Sequence, residues 1–187
     1  MNLIQLPITL EMKMGIVKSF CVALLIALTM GFGSSRLSAQ ARPSAKSNVI
    51  SIGLLSLVQP PGIALLQYEW RNGPVNSIAL RGGFQIAYFG YTGFLIGGAY
   101  RFFIADSRAL TGLSIAPAAD IFFISNSAIG RNYTSFDIGG DIAYKWIFDA
   151  FSVEPIVFLR LGIAGGEGLS AYSGVRPGID VMLGYAF

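Results

Sequence analysis

The chemistry open to this chain rests on carboxylates and serines, because it contains no histidine and a single cysteine, Cys21. Asp137 and Asp141 share one face of a predicted strand, about 13 Å apart by strand rise. Paired carboxylates of glycosidases are about 5–9.5 Å apart. A serine without a base is a weak nucleophile, so the sequence predicts no enzyme and no catalytic residue. We interpret three serines as small side chains that fill an interior: Ser51, Ser77 and Ser114.

Metal and cofactor sites are not predicted either. Hard cations are bound by carboxylates at a characteristic loop spacing, which no loop of this sequence shows. The glycine pairs Gly97-Gly98 and Gly139-Gly140 are not phosphate loops, since no helix is predicted after them. Glycine in a barrel wall more often permits bending or close packing. We therefore expect no cofactor and no metal and, without a basic run, no nucleic-acid partner.

The composition indicates a membrane protein whose apolar residues are spread along the chain. The 187 residues are 53% hydrophobic and 12% charged, whereas about a quarter of the residues in an ordinary soluble domain are charged. After residue 41, no apolar run reaches the ~18 residues that a membrane helix needs. Such a chain can still span lipid if its strands close into a barrel that pairs every backbone amide.

The first 41 residues are predicted to be a cleaved signal peptide. Lys13 and Lys18 precede an apolar stretch over 20–30, and the small-x-small triplet Ala39-Gln40-Ala41 follows, as in signal peptides. We expect cleavage after Ala41, with Gln40 as the alternative. The apolar stretch is too short for a membrane anchor. Three methionines are candidate start sites: Met1, Met12 and Met14.

After a short lead over 42–47, apolar and polar residues alternate with a period of two, which is typical of strands. In the third segment Leu80 and Phe84 share one face, and Arg81 lies on the other. Eight strands of this kind fit the smallest outer-membrane barrels. The prediction for 48–187 is an all-β fold, an eight-stranded antiparallel up-and-down transmembrane β-barrel. The predicted strands are 48–58, 62–71, 76–89, 93–104, 110–124, 134–148, 151–164 and 175–187.

The alternation also predicts which side chains face the lumen. A charge facing lipid at the midplane costs ~2–4 kcal/mol, so the charged strand face is expected to point inward. A soluble lipocalin would show the opposite pattern, with its apolar face inside. The predicted lumen charge network is Glu69, Arg81, Arg101, Asp120, Asp137, Asp141, Lys145, Glu154, Arg160, Arg176 and Asp180. Apolar residues expected in the same lumen are Leu55, Phe103, Phe122, Ile156 and Phe158.

Aromatic residues recur at the ends of the four even-numbered strands. In an up-and-down barrel these ends share one rim, where rings at headgroup level form an interfacial girdle. Aromatic residues favour strands in general, but their recurrence at four equivalent ends favours a girdle. The predicted girdle comprises Tyr68, Trp70, Tyr100, Phe102, Tyr144, Trp146 and Phe148, and the last strand adds Tyr185 and Phe187.

The closing stretch over 178–187 is an alternating apolar strand that ends in phenylalanine. It resembles the signal that the barrel-assembly machinery recognises, which Tyr185 and Phe187 would carry. Residues 48–187 resemble the small outer-membrane β-barrel proteins of Gram-negative bacteria. They are particularly similar to a family of unknown function with a tyrosine-glutamate pair, here Tyr68-Glu69, and a late strand like 140–148. The resemblance implies an outer-membrane location, contact with outer-membrane lipids and no assigned reaction.

Three hypotheses for the function follow. The preferred one is a non-enzymatic outer-membrane barrel with a side-chain-filled polar lumen. It would serve as an envelope component or as a platform for surface loops, expected over 124–133 and 165–174. The alternative is a narrow channel for ions or small solutes, lined by the charges. An enzyme without histidine is the third, and single-channel conductance would separate the first two.

Overall fold

The structure, a computed structural model, describes residues 46–58, 62–88, 90–104, 110–126, 128, 130–164 and 172–187. Its strands are β1 (Asn48–Gly53), β2 (Ile63–Arg71), β3 (Asn76–Tyr88), β4 (Tyr91–Phe103), β5 (Gly112–Asn126), β6 (Arg131–Phe148), β7 (Phe151–Ala164) and β8 (Gly174–Ala186). Each strand pairs antiparallel with its sequence neighbours, and β8 pairs with β1 to close a barrel. This confirms the predicted all-β, eight-stranded, up-and-down fold. The signal peptide predicted over 1–41 lies outside the described residues.

The period-two pattern determines the two faces of the wall. In β5, buried and exposed residues alternate along the strand between Gly112 and Asn126. Large apolar side chains point outward and stay exposed, as Phe84 and Ile96 do at 58% each. Charged side chains point inward, and Arg101 is fully buried. The barrel therefore has a polar interior and an apolar exterior, the reverse of a soluble barrel.

The first predicted strand, 48–58, is wrong beyond Gly53, and its expected lumen residue Leu55 lies in a helix instead. The chain leaves the sheet at Leu54 and forms α1 (Leu55–Val58), which contacts β2 and β8. Asp180 accepts hydrogen bonds from the backbone N–H groups of Leu55 and Ser56 at 2.9 and 3.3 Å. A side chain at Gly53 would collide with this carboxylate. The described part of the chain contains no helix long and apolar enough to cross a membrane.

The loop predicted over 124–133 is also wrong in its bounds, because β5 and β6 both continue into it and leave only residues 127–130 between them. β5 runs to Asn126 and β6 begins at Arg131. The Asn126 side chain accepts a hydrogen bond from the Ala128 N–H at 3.0 Å, which turns the chain locally. Gly130 completes the turn with a φ of 62°, in the left-handed region that glycine tolerates. Of the other predicted loop, 165–171 lies outside the described residues.

Two prolines interrupt the ladder of backbone pairs at equivalent places. Between β4 and β5 the paired register omits Arg101 and the residue before it, at the level of Pro117. Between β6 and β7 it omits Lys145 and the residue before it, at the level of Pro155. A proline has no N–H to donate to a neighbouring strand. Each interruption therefore lies beside a basic side chain that enters the lumen.

Gly139 and Gly140 provide a matched test of how closely β6 and β7 approach. A Cβ on the inward-facing Gly139 would collide with the Leu159 backbone carbonyl, whereas one on the outward-facing Gly140 would lie 3.5 Å from its nearest neighbour. We expect Gly139→Ala to lower the free energy of unfolding by ~1–3 kcal/mol. Gly140→Ala should change it by less than about 0.5 kcal/mol. Urea unfolding of the barrel in lipid vesicles measures both, and equal stabilities would contradict the close approach.

Candidate functional site in the lumen

Four inward side chains form a closed ring of ion pairs near the rim where β1 begins and β8 ends. This first ring consists of Glu69, Arg101, Lys145 and Glu154. Arg101 pairs with Glu69 at 3.9 Å and with Glu154, and Lys145 pairs with Glu69 and, at 3.2 Å, with Glu154. All four side chains are at most 2% exposed. Each charge contacts two charges of opposite sign, so the first ring is neutral.

A second ring lies deeper in the lumen and repeats the arrangement. It consists of Arg81, Asp120, Asp141 and Arg160. Arg81 lies 3.9 Å from Asp120 and 3.0 Å from Asp141. Arg160 lies 3.1 Å from Asp120 and 2.6 Å from Asp141. Arg160 also donates to the Gly140 carbonyl at 3.0 Å, so the second ring is attached to the wall as well as to itself.

The pairing register explains why two of these charges, Asp120 and Arg160, bond across the lumen rather than to the residues opposite them on the wall. Asp120 lies directly opposite Asp137 on the neighbouring strand, and Arg160 lies opposite Arg176. Like charges directly opposite each other are destabilising. The conflict is relieved because Arg176 pairs with Asp137 while Asp120 pairs with arginines of the second ring. Arg176 and Asp137 thus form an ion pair that is separate from the two rings.

Ten of the eleven residues predicted as a lumen charge network are therefore brought into ion pairs with one another. Asp180 is also buried, but its carboxylate binds the first backbone N–H groups of α1. The expected apolar lumen residues Phe103, Phe122 and Ile156 are buried. Phe158 packs beneath Arg160, whose Cζ lies 5.2 Å from the centre of the phenyl ring.

Uncharged polar residues form hydrogen bonds with the first ring. The sequence predicted Ser77 as a small interior side chain, but it predicted neither Ser77 nor Gln67 as a partner of the charged residues. The Ser77 hydroxyl donates to Glu69 at 2.5 Å, and Arg101 donates to Gln67 at 3.4 Å. The signal that could have found Gln67 and Ser77 as ring partners is their inward parity on β2 and β3. Because carboxylates and bases alternate around each ring, every charged side chain forms ion pairs with the two next to it. Within the described ranges, no cluster of three or more histidine, cysteine, aspartate or glutamate side chains could hold a metal ion.

Tyr172 is buried at the opposite end of the lumen and was also missed. Its hydroxyl donates to Gln85 at 2.5 Å, and the Ser135 hydroxyl donates to its backbone carbonyl at 3.1 Å. Burial raises the pKa of the Tyr172 phenol, so it keeps the proton that it donates. The residue lies between β7 and β8, where no periodic pattern points to a buried side chain.

The residues predicted as a girdle lie in pairs at one rim. In each pair, two aromatic residues flank one inward residue, which is Glu69, Arg101, Lys145 or Ala186. Ring centres within the pairs are 4.5–6.2 Å apart. The pairs are Tyr68–Trp70, Tyr100–Phe102, Tyr144–Trp146 and Tyr185–Phe187. Phe148 ends β6 at the same rim and is 60% exposed. The inward members of three pairs thus belong to the first ring.

Phe187 takes part in closing the barrel. Its N–H donates to the Asn48 carbonyl at 2.9 Å, and its carbonyl accepts from the N–H groups of Ser47 and Asn48 at 3.0 Å each. These bonds extend the pairing of β1 with β8 beyond Val49 and Ala186. The residue expected to signal assembly therefore lies at the seam between the first and last strands.

Comparison of the chain with models of protein families, with curated proteins and with solved structures found no match. The resemblance to small outer-membrane barrels, based on Tyr68-Glu69, 140–148 and the terminal strand, therefore stays a prediction. Conclusions about function rest on the geometry of the rings, the outer face and the rims.

Removal of one basic residue tests whether the second ring is dry. Arg160→Ala would leave Asp120 and Asp141 short of a partner in a closed interior, and breaking a buried pair costs ~3–5 kcal/mol. We expect a loss of unfolding free energy in that range, measured by urea unfolding from vesicles. Arg131→Ala, at the exposed first residue of β6, is the control and should leave stability unchanged. A loss below ~1 kcal/mol, as for exposed pairs, would indicate a water-filled lumen.

Proposed function

We propose that this chain is a non-enzymatic integral outer-membrane barrel with a closed, side-chain-filled lumen. It serves as an envelope component or as a platform for the connections at the rim opposite the aromatic pairs. The observation that carries the proposal is the stacking of two neutral rings of ion pairs across the lumen. Eight strands enclose an interior just wide enough for side chains, and these rings lie across it.

The outer face supports the membrane location. Among the described strand residues, the charged side chains that are exposed are Arg71 and Arg131, each at the end of a strand. Between those ends the exposed face is apolar, as a bilayer requires. Strands β3 to β8 have 13–18 residues each, more than the ~9–11 that a tilted membrane strand needs.

The aromatic pairs support the location of one rim of the barrel in the headgroup region of the membrane. Tyrosine and tryptophan rings prefer the headgroup region of a membrane, and the pairs surround a single rim of this barrel. Outer-membrane lipids are thus the proposed partners of the wall. The barrel-assembly machinery is the proposed partner during insertion, through the terminal strand that ends in Tyr185 and Phe187. The predicted signal peptide would deliver the chain to that machinery.

A narrow channel is the alternative, and conductance decides between the two. The rings leave the charged groups bound to each other rather than to passing ions. We expect the refolded barrel in planar lipid bilayers to produce no current steps above those of protein-free membranes. A heat-denatured sample is the control for detergent artefacts. Regular steps of one size that depend on folded protein would contradict the closed lumen and favour the channel.

Deletion of Phe187 tests the assembly proposal. The deletion removes both the terminal aromatic ring and the backbone bonds to Ser47 and Asn48. We expect less heat-modifiable, folded barrel in the outer-membrane fraction and more unfolded chain in the periplasm, at equal synthesis. Phe148→Ala, at the same rim but inside the chain, is the matched control and should insert like the parent. Equal insertion of the deletion and the parent would refute the role of Phe187.

A further inference from the structure

The lumen contains a cavity of about 180 Å³ between the second ring and α1. Its wall is mostly apolar, with Ile63, Leu65, Leu95, Phe122, Ile156 and Phe158 among the lining side chains. Its charged lining residues are already engaged. Arg81 and Arg160 pair with Asp120, Arg176 pairs with Asp137, and Asp180 binds α1. A dry cavity of ~150 Å³ with aliphatic and aromatic walls takes up benzene, so this cavity has room for a ring or roughly seven carbon atoms.

The cavity is lined by residues of α1, β2 and β8 that lie beyond the end of the short strand β1. Six residues span about 20 Å along a strand, which a tilt of about 40° reduces to ~15 Å of a ~25 Å apolar band. The ladder between β1 and β8 ends at Met182, where the Leu54 N–H still donates to the Val181 carbonyl at 3.0 Å. The cavity is lined by Gly178 and Pro177, four and five residues from Met182 along β8, and by Ile63 at the start of β2. In the described part of the chain, α1 rather than a strand lies between β2 and β8 here.

Two uncharged lining groups lack the partner that their burial demands. Gln67 is 1% exposed, and its side-chain oxygen accepts from Arg101. Its Nε2 donor forms no hydrogen bond with any described residue, and neither does the Ser56 hydroxyl oxygen. A buried donor without an acceptor is costly. The cavity thus combines an apolar wall with a donor that a single acceptor oxygen would satisfy.

We propose that this cavity binds a small neutral hydrocarbon that carries one acceptor oxygen, of the class of medium-chain ketones, esters or alcohols. The hydrocarbon part lies against Leu95, Phe122 and Phe158, and the oxygen accepts a hydrogen bond from Gln67. An ionic ligand is disfavoured because the charged residues nearby already neutralise one another. Such molecules partition into lipid, and the wall beside α1 would admit them from a bilayer. That route alone rests on the proposed membrane location.

Methyl-labelled barrel in nanodiscs of chain-deuterated lipid tests the binding, with 2-heptanone as the probe and heptane as its analogue without oxygen. We expect saturable shifts and probe-to-methyl contacts at Ile63, Leu95 and Ile156. One added hydrogen bond should make 2-heptanone bind about fivefold more tightly than heptane, after correction for partition into lipid. Equal binding of the two probes, or no saturable shift because water fills the cavity, would overturn the proposal.

Three variants locate the site. Leu95→Trp fills the cavity and should abolish the contacts, whereas Ile96→Trp, its outward neighbour, should leave them unchanged. Gln67→Met keeps the side-chain length but removes the amide, both its free donor and the oxygen that accepts from Arg101, so the preference for 2-heptanone over heptane should disappear. A preference that survives in Gln67→Met, or binding that survives in Leu95→Trp, would refute the assignment.

A second experiment tests the proposed membrane location independently of the cavity site. In nanodiscs of protonated lipid, contacts from lipid chains to the outward Ile96 methyl groups test whether the wall spans the bilayer. Their absence, with 2-heptanone still bound at Leu95, would overturn the membrane proposal and leave the cavity site standing. Their presence without probe binding would overturn the cavity site alone.

Discussion

The charged side chains inside this barrel have to neutralise one another, because an eight-stranded wall leaves little room for water. A buried charge without a partner costs several kcal/mol, so each carboxylate needs a cation across the lumen or, like Asp180, backbone N–H groups within reach. The wall accommodates this demand. Gly97 leaves room for the Asp120 carboxylate, since a Cβ there would collide with it. At Pro117 and Pro155 the backbone ladder is interrupted where Arg101 and Lys145 turn inward.

The aromatic rim and the first ring are built from the same short stretches of chain. Strand alternation sends the two outer residues of Tyr68-Glu69-Trp70 to the exterior and the middle residue to the lumen. The same division holds around Arg101 and Lys145. One stretch of three residues thus supplies an outward-facing aromatic pair at the rim and an inward-facing member of the first ring. A change in strand register by one residue would exchange these roles and destroy both.

Sequence reasoning predicted what depends on local periodicity and failed where distant residues decide. Alternation gave seven strands to within three residues of their observed bounds and the inward direction of the charges. It could not predict that Arg160 pairs with Asp120 and Asp141, because partners across a lumen depend on how all the strands are staggered. The end of β1 at Gly53 depends on Asp180, 125 residues from Leu55. The tight turn after Asn126 was local, and its available signal was Asn126 with Gly130 four residues later.

The seam between the first and last strands makes this barrel mechanically uneven. β1 and β8 are joined by five residue pairs, whereas β7 and β8 are joined by twelve. The bonds of Phe187 lengthen the seam at one rim, but the opposite half relies on α1 and the Asp180 carboxylate. A barrel that is heated or pulled should open first where the fewest strand pairs hold it, which is between β1 and β8. Unfolding should therefore begin at the end of the seam beside α1 and separate β1 from β8. Amide hydrogen exchange in β1 should then be faster than in β5 and β6.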